Sequence, residues 1–271
     1  MLIGSLEEYL RTCIELKKNT SDLWFRGIKD SSLSVSPGLY WRKLTQEWDL
    51  TTGFMSQATP FLAESQTVRF SGELEAPWEW YFLMQHYGLP TRLIDWTESP
   101  MVALYFAVKE FVIGNAAGAV PCVWALDPNL LNRRSAKYDG IIVPGGGFTQ
   151  HWLFETEPDQ LMRCTPGKAS RFSYNGSRYS NLHPIAIYPV RSNPRILAQQ
   201  GVFTVHGSSE APLDRFLKST ELVRIEIEPG AAAQIRAELE LLQVHELALF
   251  PELPVLAGRL LKRAIDALAN R

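Results

Sequence analysis

"QHYGLPTRLIDWTESPMVALYFAV" (Gln85 to Val108) opens on polar and turn-forming residues and closes almost wholly apolar. Its first residues read as the end of a helix that starts at Pro77. Gly88 ends that helix, because glycine takes the left-handed backbone of a helix C-terminus without steric penalty. "TRLIDW" reads as a short strand. Ser99 followed by Pro100 is a cap and first-turn pair, so "SPMVALYFAVKEFV" reads as a second helix. That helix lacks a polar side, which marks it as buried. Helix, strand and buried helix in such quick succession predict an α+β domain, with a mixed or antiparallel central sheet flanked by helices.

The rest of the chain fits the same plan. Ser5-x-x-Glu8 is a capping box opening an amphipathic helix with Leu6, Tyr9, Leu10, Cys13, Ile14 and Leu16 on or near one face. "LWFRG" (Leu23 to Gly27) reads as a strand ending in glycine. Residues 41–76 are expected to hold one or two helices, including "TPFLAES". "AVPCVWALD" is a buried strand. Residues 128–182, with "PGGGF", "TEPDQ", "CTPGK" and "YNGSRYSN", are rich in turn formers and read as a loop-rich insertion, a usual place for substrate contacts. "PIAIYPV", "VFTVHG" and "LVRIEIEP" are strands, the last with Val223, Ile225 and Ile227 on one face. "GAAAQIRAELELL" and "PVLAGRLLKRAIDALA" are helices, the latter amphipathic. No repeat or long linker divides the chain, so residues 1–271 are read as a single domain.

Composition narrows the function classes. At 271 residues and 46% hydrophobic the chain can bury a substantial core. A net charge of -2 and a pI of about 6.2 argue against a strongly basic nucleic-acid surface. No apolar run is long enough to span a bilayer, so no membrane partner is expected. The start, "MLIGSLEE", has no basic segment and is not a signal peptide. Cys13, Cys122 and Cys164 show no C-x-x-C spacing and read as small buried hydrophobes in a reducing, cytoplasmic setting.

Chemistry concentrates at three places. Arg26 ends an apolar strand beside Gly27, where a guanidinium binds phosphate or carboxylate and glycine permits close backbone approach; pairing with an acid such as Asp95 is the plain structural reading. In the opening stretch, Ser99 and Thr97 stand at a helix N-terminus that can receive an anion or a ribose hydroxyl, though capping alone explains Ser99. A local salt bridge explains Arg92 and Asp95. His86 and Tyr87 present rings at a helix end, where the dipole also favours a cationic His86. The third place is "RILAQQGVFTVHG", where Gln199 or Gln200 should reach the same sheet edge. His86, His151, His183, His206 and His245 lack the spacing of a helical zinc site, and no metal is expected. No P-loop, G-x-G-x-x-G or G-x-S-x-G occurs. Gly145-Gly146-Gly147 is a weak phosphate signal, and Glu226-x-Glu228 reads as a solvated face.

These residues resemble the FRG-domain family, named for an aromatic-Arg-Gly motif. "LWFRG" matches it at Phe25-Arg26-Gly27, and "QHYGLPTRLIDWTESPMVALYFA" matches the family's longest motif almost throughout. "PIAIYPVRSNPRILAQQGVFTVHG" and "LFPELPVLAGRL" match its later blocks. The family consists mainly of bacterial and phage domains. The block order also resembles, more weakly, mono-ADP-ribosyltransferases of the Arg-Ser-Glu type. That resemblance implies an ADP-ribosyltransferase-like fold and an NAD- or nucleotide-directed enzyme, a transferase or NAD glycohydrolase, in the setting of an antiphage or toxin effector. NAD would be substrate, with a protein or nucleic-acid acceptor. Arg26 would hold the pyrophosphate or ribose, Thr97 and Ser99 would brace the nicotinamide ribose, and Tyr87, Trp96 or Tyr105 would stack on the nicotinamide. The pattern's Glu falls on Gly201, or on Gln200 with a one-residue shift, with Gln199 beside it. A carboxylate would then have to come from Asp95, Glu98 or Glu226. The alternatives are a non-catalytic nucleotide-binding module and a nuclease or hydrolase using Asp95 and His86.

Overall fold

Alternation along the strands builds a sheet with two unlike faces. The computed structural model describes residues 1–62, 77–111, 118–144, 171–174, 177–189 and 193–269. In chain order the elements are β1 (Leu2–Ile3), α1 (Leu6–Lys17), β2 (Trp24–Ile28), α2 (Gly38–Trp41), α3 (Glu47–Ala58), α4 (Pro77–His86), β3 (Leu93–Thr97), α5 (Pro100–Val108), β4 (Cys122–Leu126) and α6 (Pro128–Ala136). Then come β5 (Arg171–Tyr174), β6 (Ser177–Ser180), β7 (Ile185–Ile187), α7 (Pro194–Ala198), β8 (Gly201–Val205), α8 (Leu213–Phe216), β9 (Leu222–Ile227), α9 (Ala232–Leu241), α10 (Glu246–Leu249) and α11 (Leu253–Ala269). Seven strands form one mixed sheet in the order β1-β9-β4-β2-β3-β8-β7. Among the described strands of this sheet β1–β9 is the parallel pairing and the others are antiparallel, while Ile142 makes an isolated parallel bridge to Ile187. β5 and β6 form a separate hairpin. This is the α+β architecture expected from the sequence.

One face carries two cores side by side. Phe25, Val123, Ala125, Ile225 and Ile227 pack beneath α5 and α1, while Leu93, Ile185, Ile187, Phe203 and Val205 pack beneath α4. The opposite face buries Trp24, Ile94, Trp96, Trp124 and Leu126 against Leu131 and Leu213. Alternation in β3 puts Asp95 on the first face, in line with Leu93. It therefore falls where α4's cover stops and α5's begins.

Sequence-level signals explain the local geometry. Ser99 caps α5 by accepting from the Val102 N–H at 3.4 Å, and Pro100 occupies the first turn. Gly88 ends α4 with φ +81°. Gly27 answers a packing demand: a Cβ there would sit 1.9 Å from the Ala103 carbonyl oxygen, so α5 can lie on β2 only across a glycine. The small, fully buried Ala103 and Ala107 complete that close approach.

Within the region read as loop-rich, 128–182, the described residues include α6 and the β5–β6 hairpin. The α6 signal is Asp127-Pro128, whose carboxylate accepts from the Leu130 N–H at 3.0 Å. The glycine run at 145–147, His151 and Cys164 lie outside the described residues.

Candidate functional site

Between α4 and α5 the sheet opens into a cleft of about 290 Å³. Its floor is aromatic, from Phe25, Phe82, Phe106 and Phe203, with Phe82 and Phe203 stacked at 5.2 Å between ring centres. Arg26, Gln85, His86, Asp95, Arg195 and Gln199 bring the charged and polar groups.

Arg26 enters the cleft because β2 and β3 hardly pair. β2 runs in register with β4 over five residues, but meets β3 only at Phe25 opposite Thr97. Beyond that point a side chain joins the strands: Arg26 Nη1 donates to the Asp95 carbonyl at 2.6 Å and lies 3.9 Å from Asp95 Oδ2. The Arg26 side chain keeps 29% of its surface exposed. The crowding around it lowers its pKa from the usual guanidinium value, and the Asp95 charge opposes that shift; arginine remains a cation at neutral pH.

A directional chain of hydrogen bonds orients Asp95. The Leu93 N–H donates to Thr91 Oγ1 at 3.0 Å, so the Thr91 hydroxyl proton goes to Gln85 Oε1, at 2.5 Å. That fixes which way the Gln85 amide points. Its Nε2 donates to Asp95 Oδ2 at 2.8 Å, and an amide nitrogen can only donate. The carboxylate thus accepts at Oδ2, and among the described residues nothing donates to Oδ1. Its side chain is 59% exposed.

The His86 ring lines the same cleft. Burial and the nearby Arg195 charge lower its pKa, with Glu252 pulling the other way. The helix-end reading of His86 as a favoured cation is thereby corrected: loss of solvent and a neighbouring guanidinium oppose its protonation. Arg195 itself stacks on Phe250, 4.5 Å from the ring centre. Gln199 Nε2 donates to the Leu249 carbonyl at 3.1 Å, tying α7 to α10.

Of the residues singled out from sequence, Arg26, Gly27, His86, Asp95, Trp96, Thr97 and Gln199 line the cleft. Ser99, Gln200, Tyr87 and Arg92 are not among its lining residues. Ser99 Oγ caps α5. Gln200 is exposed and takes a left-handed φ of +47°, making the turn from α7 into β8, and Gly201 rather than Gln200 reaches the cleft. Tyr87 is 62% exposed, edge-on to His86. Thr97 Oγ1 donates to the Gln199 carbonyl at 2.7 Å and accepts from the Ser99 N–H at 3.0 Å, so its hydroxyl holds the backbone together. Trp96 is buried and donates to Thr204 Oγ1, and Tyr105 is buried in the α5 core. Four phenylalanines, with His86 and Trp96, supply the cleft's ring surface.

The expected local salt bridge between Arg92 and Asp95 does not form. Asp95 lies within β3, whereas Arg92 falls in the bend just before that strand. Arg92 instead turns inward: its Nε donates to Glu47 at 2.9 and 3.0 Å, and Nη1 donates to the His206 carbonyl at 2.7 Å. The Tyr81 hydroxyl donates to Glu47 and accepts from the Arg92 N–H. This buried cluster lies apart from the cleft and was not legible in the sequence. Gln85 and Arg195 were also missed as cleft residues; each sits at a turn of helix beside a residue that was noticed, His86 and Gln199.

Among the described residues no three His, Cys, Asp or Glu side chains cluster as a metal site, and no helix is long and apolar enough to cross a membrane.

The class of protein is thus an α+β domain whose mixed sheet opens an Arg- and Asp-bearing cleft between two helices. The FRG domain family model matches residues 21–112, the span from just before β2 to just past α5. This span carries Arg26, Gly27, Gln85, His86 and Asp95, while Arg195 and Gln199 come from beyond it. No curated protein and no solved structure matches the chain.

Proposed function

We propose that the cleft takes a nucleotide-type ligand, NAD included, and that Asp95 is the carboxylate that acts on it. The observation that carries this reading is the meeting of Arg26, Arg195, His86 and Asp95 over an aromatic floor in one cleft. Guanidinium groups suit a phosphate or pyrophosphate, aromatic faces suit a base or nicotinamide ring, and a carboxylate open at Oδ1 suits a ribose hydroxyl. Were the ligand NAD, the same carboxylate would stabilise positive charge developing at the ribose as the nicotinamide bond breaks.

This reading relocates the carboxylate relative to the transferase pattern. Gln200 and Ser99 do other work, so Asp95 takes the part. A transferase would pass the ribosyl group to a protein or nucleic-acid acceptor, and a glycohydrolase would pass it to water. An antiphage or toxin role is a setting in which either chemistry fits an FRG domain.

Calorimetry of the purified protein with NAD, ADP-ribose and a panel of nucleotides, alongside a nicotinamide-release assay, tests the proposal. Binding is expected in wild type, weakened at least tenfold in Arg26→Ala. Nicotinamide release is expected to be lost in Asp95→Asn, whose exposed position leaves the fold intact. Failure of wild type to bind any nucleotide overturns the reading. Binding without turnover selects the binding module instead. Metal-dependent cleavage of DNA or RNA, lost in Asp95→Asn, selects the hydrolase with Asp95 and His86.

A further inference from the structure

The helix α11 stands apart from the cleft and buries little. Leu253, Leu256, Leu260, Leu261, Ile265 and Leu268 are 80, 39, 55, 63, 55 and 69% exposed. With Ala257 and Ala264 they form two adjacent i, i+4 ridges: Leu253-Ala257-Leu261-Ile265 and Leu256-Leu260-Ala264-Leu268. Arg259, Lys262, Arg263 and Asp266 lie off these ridges. Arg259 ties the first half of the helix to the body through His245, at 2.9 Å, and Glu240, at 3.6 Å. The stretch from Leu260 to Leu268 is exposed throughout.

The order of side chains along this stripe is its most informative property. About a point midway between Leu260 and Leu261 the stripe is self-complementary when reversed: Leu253 answers Leu268, Leu256 answers Ile265, Ala257 answers Ala264, and Leu260 answers Leu261. Large faces large and small faces small. A twofold interface needs this property, since residue i of one copy meets residue j of the other and the converse holds. Two i, i+4 ridges flanking a groove are also what ridge-into-groove helix packing requires.

We infer that α11 is a self-association element that pairs antiparallel with α11 of a second copy of this chain. The exposed stripe, with the stems of its flanking cations, supplies on the order of 600 Å² a side, so two copies reach the roughly 1,200 Å² at which stable interfaces begin. This pairing covers the apolar face that the body leaves open.

Sedimentation of the full chain, with directed cross-linking, tests the inference. Wild type is expected to sediment as a dimer at micromolar concentration, and Leu260→Glu/Leu261→Glu as a monomer with an unchanged unfolding midpoint for the body. In the dimer, a mixture of Ala257→Cys and Ala264→Cys chains is expected to cross-link across copies, whereas either variant alone gives only the wild-type background. A wild-type chain that stays monomeric at 100 times that concentration, roughly 10⁻⁴ M, overturns the inference. So does cross-linking of Ala257→Cys with itself, which marks a parallel pair, or a monomer that instead floats with anionic phospholipid vesicles.

Discussion

Arg26 and Arg92 stand on neighbouring segments, and each bonds a backbone carbonyl and faces a carboxylate, yet they do opposite things. Arg92 is fully buried, grips Glu47 through Nε at 2.9 Å, and has the Tyr81 ring 5.9 Å from its guanidinium carbon. Arg26 keeps a share of its surface in the cleft, and its acid, Asp95, is held by Gln85 and stays 3.9 Å away. The difference lies in commitment. A buried cation that bonds an ionised partner at close range has been spent on the fold. A cation at a cleft wall, loosely paired to an exposed acid, can exchange part of that pairing for a ligand. Of these two Arg–carboxylate pairs, the looser one is the one that faces the cleft.

The sharpest way to break the comparison is Glu47→Ala. It leaves the Arg92 charge buried without its carboxylate, a change that typically costs about 3–5 kcal/mol. It also strips the Tyr81 hydroxyl of its acceptor. Chemical denaturation should show a large loss of stability, or a chain that no longer folds. A loss under about 1 kcal/mol, the usual worth of an exposed pair, would mean that Arg92 is no more committed than Arg26.

Acid reads the same cluster through His206, whose carbonyl accepts from Arg92. Burial first, and then the Arg92 charge, push the His206 imidazole down to about 3, with the Ala211 backbone pulling weakly the other way. In the unfolded chain the ring titrates near 6.5. Between those values the unfolded state binds a proton that the folded state refuses, so stability is fully present above about 6.5 and falls as the pH drops. The slope from this group approaches about 1.4 kcal/mol per pH unit. Unfolding midpoints measured from pH 7.5 to 5 should fall in wild type and fall less in His206→Gln. Equal slopes would show that His206 is not the group being protonated.

Much of the cleft's scaffold was legible in the sequence, because short-range rules govern it. Ser99 and Pro100 announce α5, Gly88 announces the end of α4, and an aromatic-Arg-Gly strand places Arg26. What stayed hidden is partner choice across long separations. Arg92 and Asp95 look like a local pair, but Arg92 sits in the bend before β3 and Asp95 within it, and their partners are Glu47 and Arg26, 45 and 69 residues away. Glu47 sat in a stretch with no clear period. Gln200, aligned to a catalytic position, is consumed by a left-handed turn that a one-dimensional comparison cannot show. Gly27 was noticed for a ligand's approach, and the approach it permits is that of α5.

The smallest expected effect on stability is the most telling for function. Asp95→Asn removes a charge that is more than half exposed and 3.9 Å from its cation. The new amide can still accept from Gln85 Nε2, and exposed pairs of this kind are worth about 0–1 kcal/mol. The unfolding midpoint should therefore barely move. On the proposed function, turnover should fall all the same, since an amide can accept a hydrogen bond from a hydroxyl but offers no charge to a developing cation; lost electrostatic contacts of that kind lower rates by about 10²–10³. A variant that folds like wild type, binds a nucleotide like wild type and turns it over no faster than buffer would separate Asp95 from Glu47 completely. A variant destabilised as badly as Glu47→Ala would instead place both acids in the fold's service and take the cleft's carboxylate out of the chemistry.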